Sequence, residues 1–266
     1  MILLDGISIQ VFGFIATPGH SNPITPVYEN KTLSISGRSG LYDFGSELKE
    51  KEISIQLTLI DLNTVQKQFK IRKLITFLMD TYGKPRNFKL SFDYEPDKYY
   101  TARVTSQIDP ERIVNTGSLV LELTAFDPFM YSYVYEDEIN WGSNVITFQS
   151  SYLMGHMGSA GITTVTINKT LDYYVDGLAI KPVIEITGSA TTLVLSANGY
   201  TITFPAFASK TWIIDCDKYT VLKNGVNSFS EVSLRDFFLL TGSNVLSITG
   251  TGMNFTIRIK IRDKYI

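Results

Sequence analysis

Only one stretch of this 266-residue chain places its apolar residues at helical spacing; the segments around it alternate at a period of two. Val65, Phe69, Ile71, Leu74, Ile75 and Leu78 recur near i, i+3, i+4 and i+7, and Lys67, Lys70, Arg72 and Lys73 fall between them. Such spacing makes one buried stripe and one wet face on a helix. The pattern predicts a helix over 64–81. Thr64 supplies a side-chain oxygen at its start, Gly83 provides a left-handed stop, and Pro85 prevents resumption. Asn87–Phe92 then reads as a strand, Asp93–Asp97 has turn chemistry, and Tyr99–Val104 reads as the returning strand. A chain with one helix and many strands has one obvious layer to set against its sheet.

The flanking segments agree with that frame. Residues 2–16 read as two short strands around Asp5-Gly6. Thr17–Pro26 carries Pro18, Gly19, Asn22, Pro23 and Pro26, which makes a surface loop the preferred reading over an arm reaching a neighbouring subunit. Lys31–Ser36 alternates weakly, Gly37–Gly40 is a turn, and Leu41–Gly45 looks irregular. Lys51–Ile60 alternates cleanly, with Ile53, Ile55, Leu57 and Leu59 on one face. Leu119, Leu121, Leu123 and Ala125 form another such strand, which Asp127-Pro128 ends. Residues 1–134 are therefore expected to be an α+β domain with its helix on a sheet.

Residues 135–266 read as all β. No charged side chain occurs from Ile139 to Asn168, and Met154–Gly161 is small enough in its residues to be a loop. Asn198-Gly199 lies between two apolar runs, a strong hairpin signal. Trp212–Ile214 and Tyr219–Val221 flank a second turn, Asn224-Gly225 marks a third, and Asn244–Ile248 pairs with Asn254–Ile261 around Gly250–Gly252. Strands at this spacing imply a β-sandwich or a jelly roll.

The chemistry a catalyst needs is sparse. His20 and His156 are the two histidines, in a proline-rich loop and a glycine-rich one, without a His-x-x-x-His or Cys-x-x-Cys spacing. Glu136-Asp137-Glu138 reads as a solvated charge run, and Asp215 with Asp217 as turn residues. Gly155, Gly158 and Gly161 do not join a strand to a helix, so no phosphate cradle is expected. The expectation is no enzyme, no cofactor and no metal. A net charge of -2 advertises no nucleic-acid partner, and the basic residues of the helix read as solvation. The single cysteine, Cys216, permits no intrachain disulfide and fits assembly in a cytosol. The first basic residue is Lys31, so no secretory leader is expected, and the uncharged run Gly188–Ser209 is too interrupted for a membrane helix. Phe129, Tyr131, Tyr133 and Tyr135 share a face if extended, with Trp141 just beyond. That row is read first as packing between domains and second as a glycan or subunit contact.

Several of these residues together resemble the distal tail proteins of long, flexible-tailed phages and prophages. The resemblance is carried by Gly83-Lys84-Pro85 through Glu95-Pro96-Asp97-Lys98-Tyr99-Tyr100, by the helix before it, and by Gly37-Arg38-Ser39-Gly40, with Ser39 where that turn usually has Asp. It is carried also by Ala125-Phe126-Asp127-Pro128-Phe129 and by Asp236–Leu240 with Asn244–Tyr265. It implies a mainly β chain: a split-barrel, tail-tube-like domain with one helix, followed by a galectin-like β-sandwich. It implies a homo-hexameric ring, or two stacked rings, that joins the tail tube protein to the tip protein and the receptor-binding proteins. DNA would pass through the centre without specific binding, and the protein would sit at the distal end of the virion tail, with no membrane insertion. Glu95, Pro96, Asp97, Tyr99, Tyr100 and Arg38 become candidates for contact between subunits. The alternatives are a carbohydrate-binding module for host cell-wall glycans, a β-sandwich glycosidase using Asp215 or Glu136, and the same ring in a tail-like bacteriocin.

Overall fold

The pairing of Lys51–Ile60 with Thr116–Ala125 anchors the first part of the molecule. In this computed structural model, which describes residues 1–60, 63–112, 116–139, 146, 150, 152, 159 and 161–266, the chain divides into two compact units, 1–130 with Ile266 and 131–265. Trp141, the loop Met154–Gly158 and His156 lie outside the described residues.

The first unit contains β1 (Ile2–Leu4), β2 (Ile7–Ser8), β3 (Ile15–Ala16), β4 (Tyr28–Leu33), β5 (Tyr42–Leu48), β6 (Lys51–Ile60), the helix α1 (Thr64–Leu78), β7 (Phe88–Phe92), β8 (Glu95–Val104), β9 (Glu111–Arg112) and β10 (Thr116–Ala125). The strands run in the order β2-β1-β7-β8-β10-β6-β3, with β9 against β10, in a sheet curled into a half-barrel. Strands β6 and β10 are antiparallel, and their register sets Leu57 opposite Leu119, Ile55 opposite Leu121 and Ile53 opposite Leu123. All six side chains are buried, so directly opposed branched residues supply much of this core. The alternation seen in both strands is thus realised as one dry face.

Helix α1 differs from its expected form at both ends. Its N-cap is Asn63, whose side chain accepts from Val65 N at 2.9 Å and Gln66 N at 3.2 Å. Thr64 is the first helical residue instead of the cap. The helix stops at Leu78, and Met79 is extended. Gly83, at φ +78°, sits in the turn beyond, where Asp80 Oδ1 accepts from Tyr82 N and Lys84 N at 2.8 Å each. The end of the helix is held by Arg86: its Nε donates to Phe77 O at 2.6 Å and its backbone N to Leu78 O at 3.1 Å. A cation on the last carbonyls also suits the helix dipole.

The buried stripe is rotated from the expected one. It is Lys67, Ile71, Leu74 and Leu78, whereas Val65 and Phe69 are 75% and 65% exposed. Two residues turn a helix by about 200°, so a stripe through Lys67 must leave Val65 and Phe69 outside. A long lysine stem can serve as apolar cover in that position.

The β7–β8 hairpin turns on Asp93-Tyr94 alone, since Glu95 already pairs with Phe92. The ladder then jumps to Leu90 opposite Tyr100, so Pro96–Tyr99 bulge out of register. Proline has no N–H for a ladder, which fits its place in the irregular stretch.

Strand β11 (Met130–Ser132) starts at the last residue before the division, and the second unit contains β12 (Ile162–Val165), β13 (Lys169–Val175), β14 (Val183–Ala190), β15 (Thr192–Ala197), β16 (Tyr200–Phe204), β17 (Phe207–Asp215), β18 (Thr220–Lys223), β19 (Val226–Asn227), β20 (Ser233–Leu234), β21 (Gly242–Thr251), β22 (Asn254–Lys260) and β23 (Lys264–Tyr265). A six-stranded sheet, β12-β22-β14-β17-β18-β19, and a five-stranded sheet, β13-β21-β15-β16-β20, contribute to one core. Ile186 stands between Trp212 and Ile257 in the first, and Leu195 between Ile202 and Ile248 in the second. Trp212 meets Phe204 and Phe207 edge-on at 5.8 and 6.0 Å, the arrangement its ring quadrupole favours. Asn198 and Gly199, both with positive φ, make the tight β15–β16 turn.

Candidate functional site

Strands β4 and β5 pair only with one another, and every residue in both is exposed. The expected irregular stretch at Leu41–Gly45 is therefore part of a hairpin. It carries Phe44 and Leu41, 67% and 64% exposed, with Tyr28, Leu33, Ile35, Tyr42 and Leu48 also open to solvent. Its outer edges have no strand partner among the described residues. Cross-strand ion pairs of Lys31 with Glu47 and of Lys49 with Glu29 run along it. Lys31 holds the Glu47 carboxyl below its ordinary range, and Glu29 holds the Lys49 ammonium above its own. Exposed pairs of this kind add little stability. A two-stranded hairpin with no buried side chain is marginal in water on its own.

The residues singled out for contact between subunits are not gathered on one surface. Arg38 lies in the turn of the β4–β5 hairpin, its guanidinium 4.1 Å over the Tyr42 ring. Pro96 is exposed and Glu95 half-buried, with Lys98 Nζ 3.5 Å from the Glu95 carboxylate. Asp97, Tyr99 and Tyr100 are buried within the unit. Their bulge turns successive side chains inward, so they support the hairpin from within. Tyr99 packs under Lys89, and Tyr100 under Lys51, at 4.4 Å from each ammonium to the ring centroid.

The aromatic row of Phe129, Tyr131, Tyr133 and Tyr135 alternates as expected: all four are half-buried and the residues between them are buried. Tyr135 is covered by the Arg262 guanidinium at 4.1 Å.

The carboxylates considered for catalysis are placed apart in character. Glu136 is 3% exposed, so the charge run is not a solvated face. Burial, with Asp263 and Asp137 beside it, pushes its carboxyl up to about 9. Asp137 is paired with Arg258, whose Nε donates at 2.6 Å. Asp215 Oδ1 accepts from Asp217 N at 3.1 Å and Lys218 N at 2.9 Å, the local turn bonding expected of it. Burial drives the Cys216 thiol up to about 12. Among the described residues no group of three or more His, Cys, Asp or Glu is placed to hold a metal ion, and no helix is long and apolar enough to cross a membrane.

Residues 7–125 match the family model of the phage tail protein RIFT-related domain. The matched residues make up most of the first unit. The whole chain shares its fold with a solved protein. That protein is SPP1 Dit (gp 19.1), described as a paradigm of the hub adsorption apparatus in Gram-positive-infecting phages. It is 15% identical, with a TM-score of 0.71 over 100% of this chain and 98% of that one. Two structures of the phage P2 baseplate in its activated conformation, with Ca and with Sr, align at 10% identity with TM-scores of 0.43 and 0.46, over 96% of this chain and 92% of theirs. Among curated proteins, none matches the chain in sequence.

Proposed function

We propose that this tail protein is the structural hub of a phage tail tip, without catalytic activity of its own. Six copies, or twelve in two stacked rings, join the tail tube to the tip protein and the receptor-binding proteins at the distal end of the tail. The tail domains surround a channel through which DNA passes. The observation that carries this reading is the β4–β5 hairpin, exposed on every residue and rich in apolar side chains. A neighbouring copy around a closed ring covers such an element without leaving an open edge at either end of the assembly. Arg38 in its turn and the exposed Pro96 on β8 are the candidate residues that remain available for that contact. A net charge of -2 suits a conduit that must let DNA slide without gripping its phosphates.

Mass measurement on the intact chain tests the reading. The expected species has six times, or twelve times, the 29.9 kDa of one copy. A protein that stays monomeric at the highest attainable concentration overturns it.

A further inference from the structure

At one group of loops in the second unit, a lysine is set between two aromatic rings. Lys181 Nζ lies 4.5 Å from the Tyr219 ring centroid and 4.8 Å from that of Phe238. It donates to Tyr219 OH at 2.7 Å and to Asp236 Oδ1 at 3.2 Å, while Tyr219 OH itself donates to Asp236 Oδ1. Phe238 continues into Tyr200, ring centroids 5.6 Å apart. Tyr219 remains 41% exposed, and the Asp236 side chain 56%. Among the described residues, both hydrogen bonds to Asp236 fall on Oδ1 and Oδ2 receives none.

Two features set this cluster apart from an ordinary surface ion pair. Tyr219 holds φ +51°, a left-handed conformation costly for a bulky side chain. The segment that brings Asp236 and Phe238 is also fixed in advance. Leu239 exchanges both backbone hydrogen bonds with Ile180 at 2.9 Å, and the buried Asn244 side chain takes Leu240 N and gives to Leu240 O at 2.7 Å each. Asn198 donates both to Phe238 O at 3.3 Å and to Asn244 at 2.6 Å. Loops that are ordered before a ligand arrives lose little conformational freedom on binding it.

We propose that Tyr219, Phe238, Lys181 and Asp236 form a binding site for a neutral, pyranose-containing glycan. Sugar rings offer flat C–H faces that seat on aromatic rings, and their neighbouring hydroxyls take a donor and an acceptor side by side. Here the ammonium of Lys181 and Oδ2 of Asp236 are that pair. Their charges cancel, so the site has no net charge with which to draw a charged ligand. An extended peptide has no ladder to join, because the backbone of Leu239 and Leu240 is already paired. The site stands on the second unit alone and does not need the ring.

The test uses the full chain on an array of neutral gluco-, galacto- and N-acetylhexosamine oligosaccharides, followed by calorimetric titration with the strongest binder. Tyr219→Gly removes the ring where the backbone favours glycine, so its fold is preserved, and Asp236→Asn removes the charged acceptor at constant shape. Each variant is expected to weaken binding by roughly tenfold or more while melting near the wild-type temperature. Absence of binding to every neutral oligosaccharide overturns the proposal, as does binding left intact by both variants. Binding confined to anionic glycans, or to a protein that Tyr219→Gly releases while no sugar binds, overturns it too.

Discussion

Lys51 ends the apolar face of β6 with its ammonium buried against Tyr100, donating to the phenol and lying 4.4 Å from the ring centroid. Burial pulls the lysine below its ordinary value, opposed by Glu95, and pushes the tyrosine well above its own. The stem of Lys51 continues the row of Ile53, Ile55 and Leu57, so its packing and its charge act in opposite senses.

Exchanging Lys51 for an apolar side chain of similar length separates the two. Lys51→Met is expected to change stability by no more than about 1.5 kcal/mol, whereas Lys51→Ala opens a cavity beside Tyr100 and costs about 2–4 kcal/mol. Because the folded lysine binds its proton less tightly than the unfolded one, this group by itself adds stability as pH rises toward 10.5, seen as a growing difference between the wild type and Lys51→Met. Lys51→Met should lack that gain. Urea unfolding of all three proteins between neutral and alkaline pH measures both effects.

The position of the helix cap gives a sharper discrimination. Asn63→Ala strips two backbone N–H groups of their acceptor and should cost about 1 kcal/mol. Thr64→Ala, one residue on and inside the helix, should cost at most about 0.5 kcal/mol, because alanine is the better helix former there. Equal losses at the two positions would place the cap at Thr64 after all. Thermal melts of the two variants under one buffer decide it.

What the sequence disclosed and what it hid divide along burial. Leu57 and Leu119, or Phe255, Ile257 and Ile259, could be read because one face of each strand is dry and the other wet, and that contrast is the alternation itself. The β4–β5 hairpin went unread for the converse reason: with both faces wet in the single chain, Leu41, Tyr42 and Phe44 have no pattern to obey. Lys67 misled by its type, since its stem lies buried in the stripe while Val65 and Phe69 do not. The aromatic–lysine cluster of the second unit was invisible because Lys181, Tyr219 and Phe238 come from three separate loops. The one local signal was Tyr219 beside the Asp215–Lys218 turn, in a place expected to be strand.

Glu136 makes the second unit sensitive to pH. Its folded carboxyl titrates near 9, above the ordinary 4.5, so between those values the folded chain carries a proton that the unfolded chain has lost. Stability therefore falls as pH rises through that window, by up to about 1.4 kcal/mol per pH unit from this group. Below 4.5 both states are protonated and the cost vanishes. Glu136→Gln keeps the shape without the charge and should flatten the slope, so that the variant exceeds the wild type most at pH 8–9. Denaturant titrations at pH 5, 7 and 9 follow it; a slope unchanged by the substitution would mean that Glu136 is ionised in the folded protein.

The hairpin bears on assembly in the most direct way. Phe44 and Leu41 are exposed in the single chain, so a charge placed there costs the folded monomer within about 0.5 kcal/mol. In an assembled ring the same charge would be trapped against a neighbour without a counter-ion, at a cost of several kcal/mol per contact. Phe44→Glu with Leu41→Glu should therefore leave the melting of a dilute, monomeric sample near that of the wild type and shift the mass at high concentration from the ring to one copy. Light scattering across a dilution series reads the outcome. Rings that persist in the double variant would move the subunit contact off this hairpin and onto a surface that includes neither side chain.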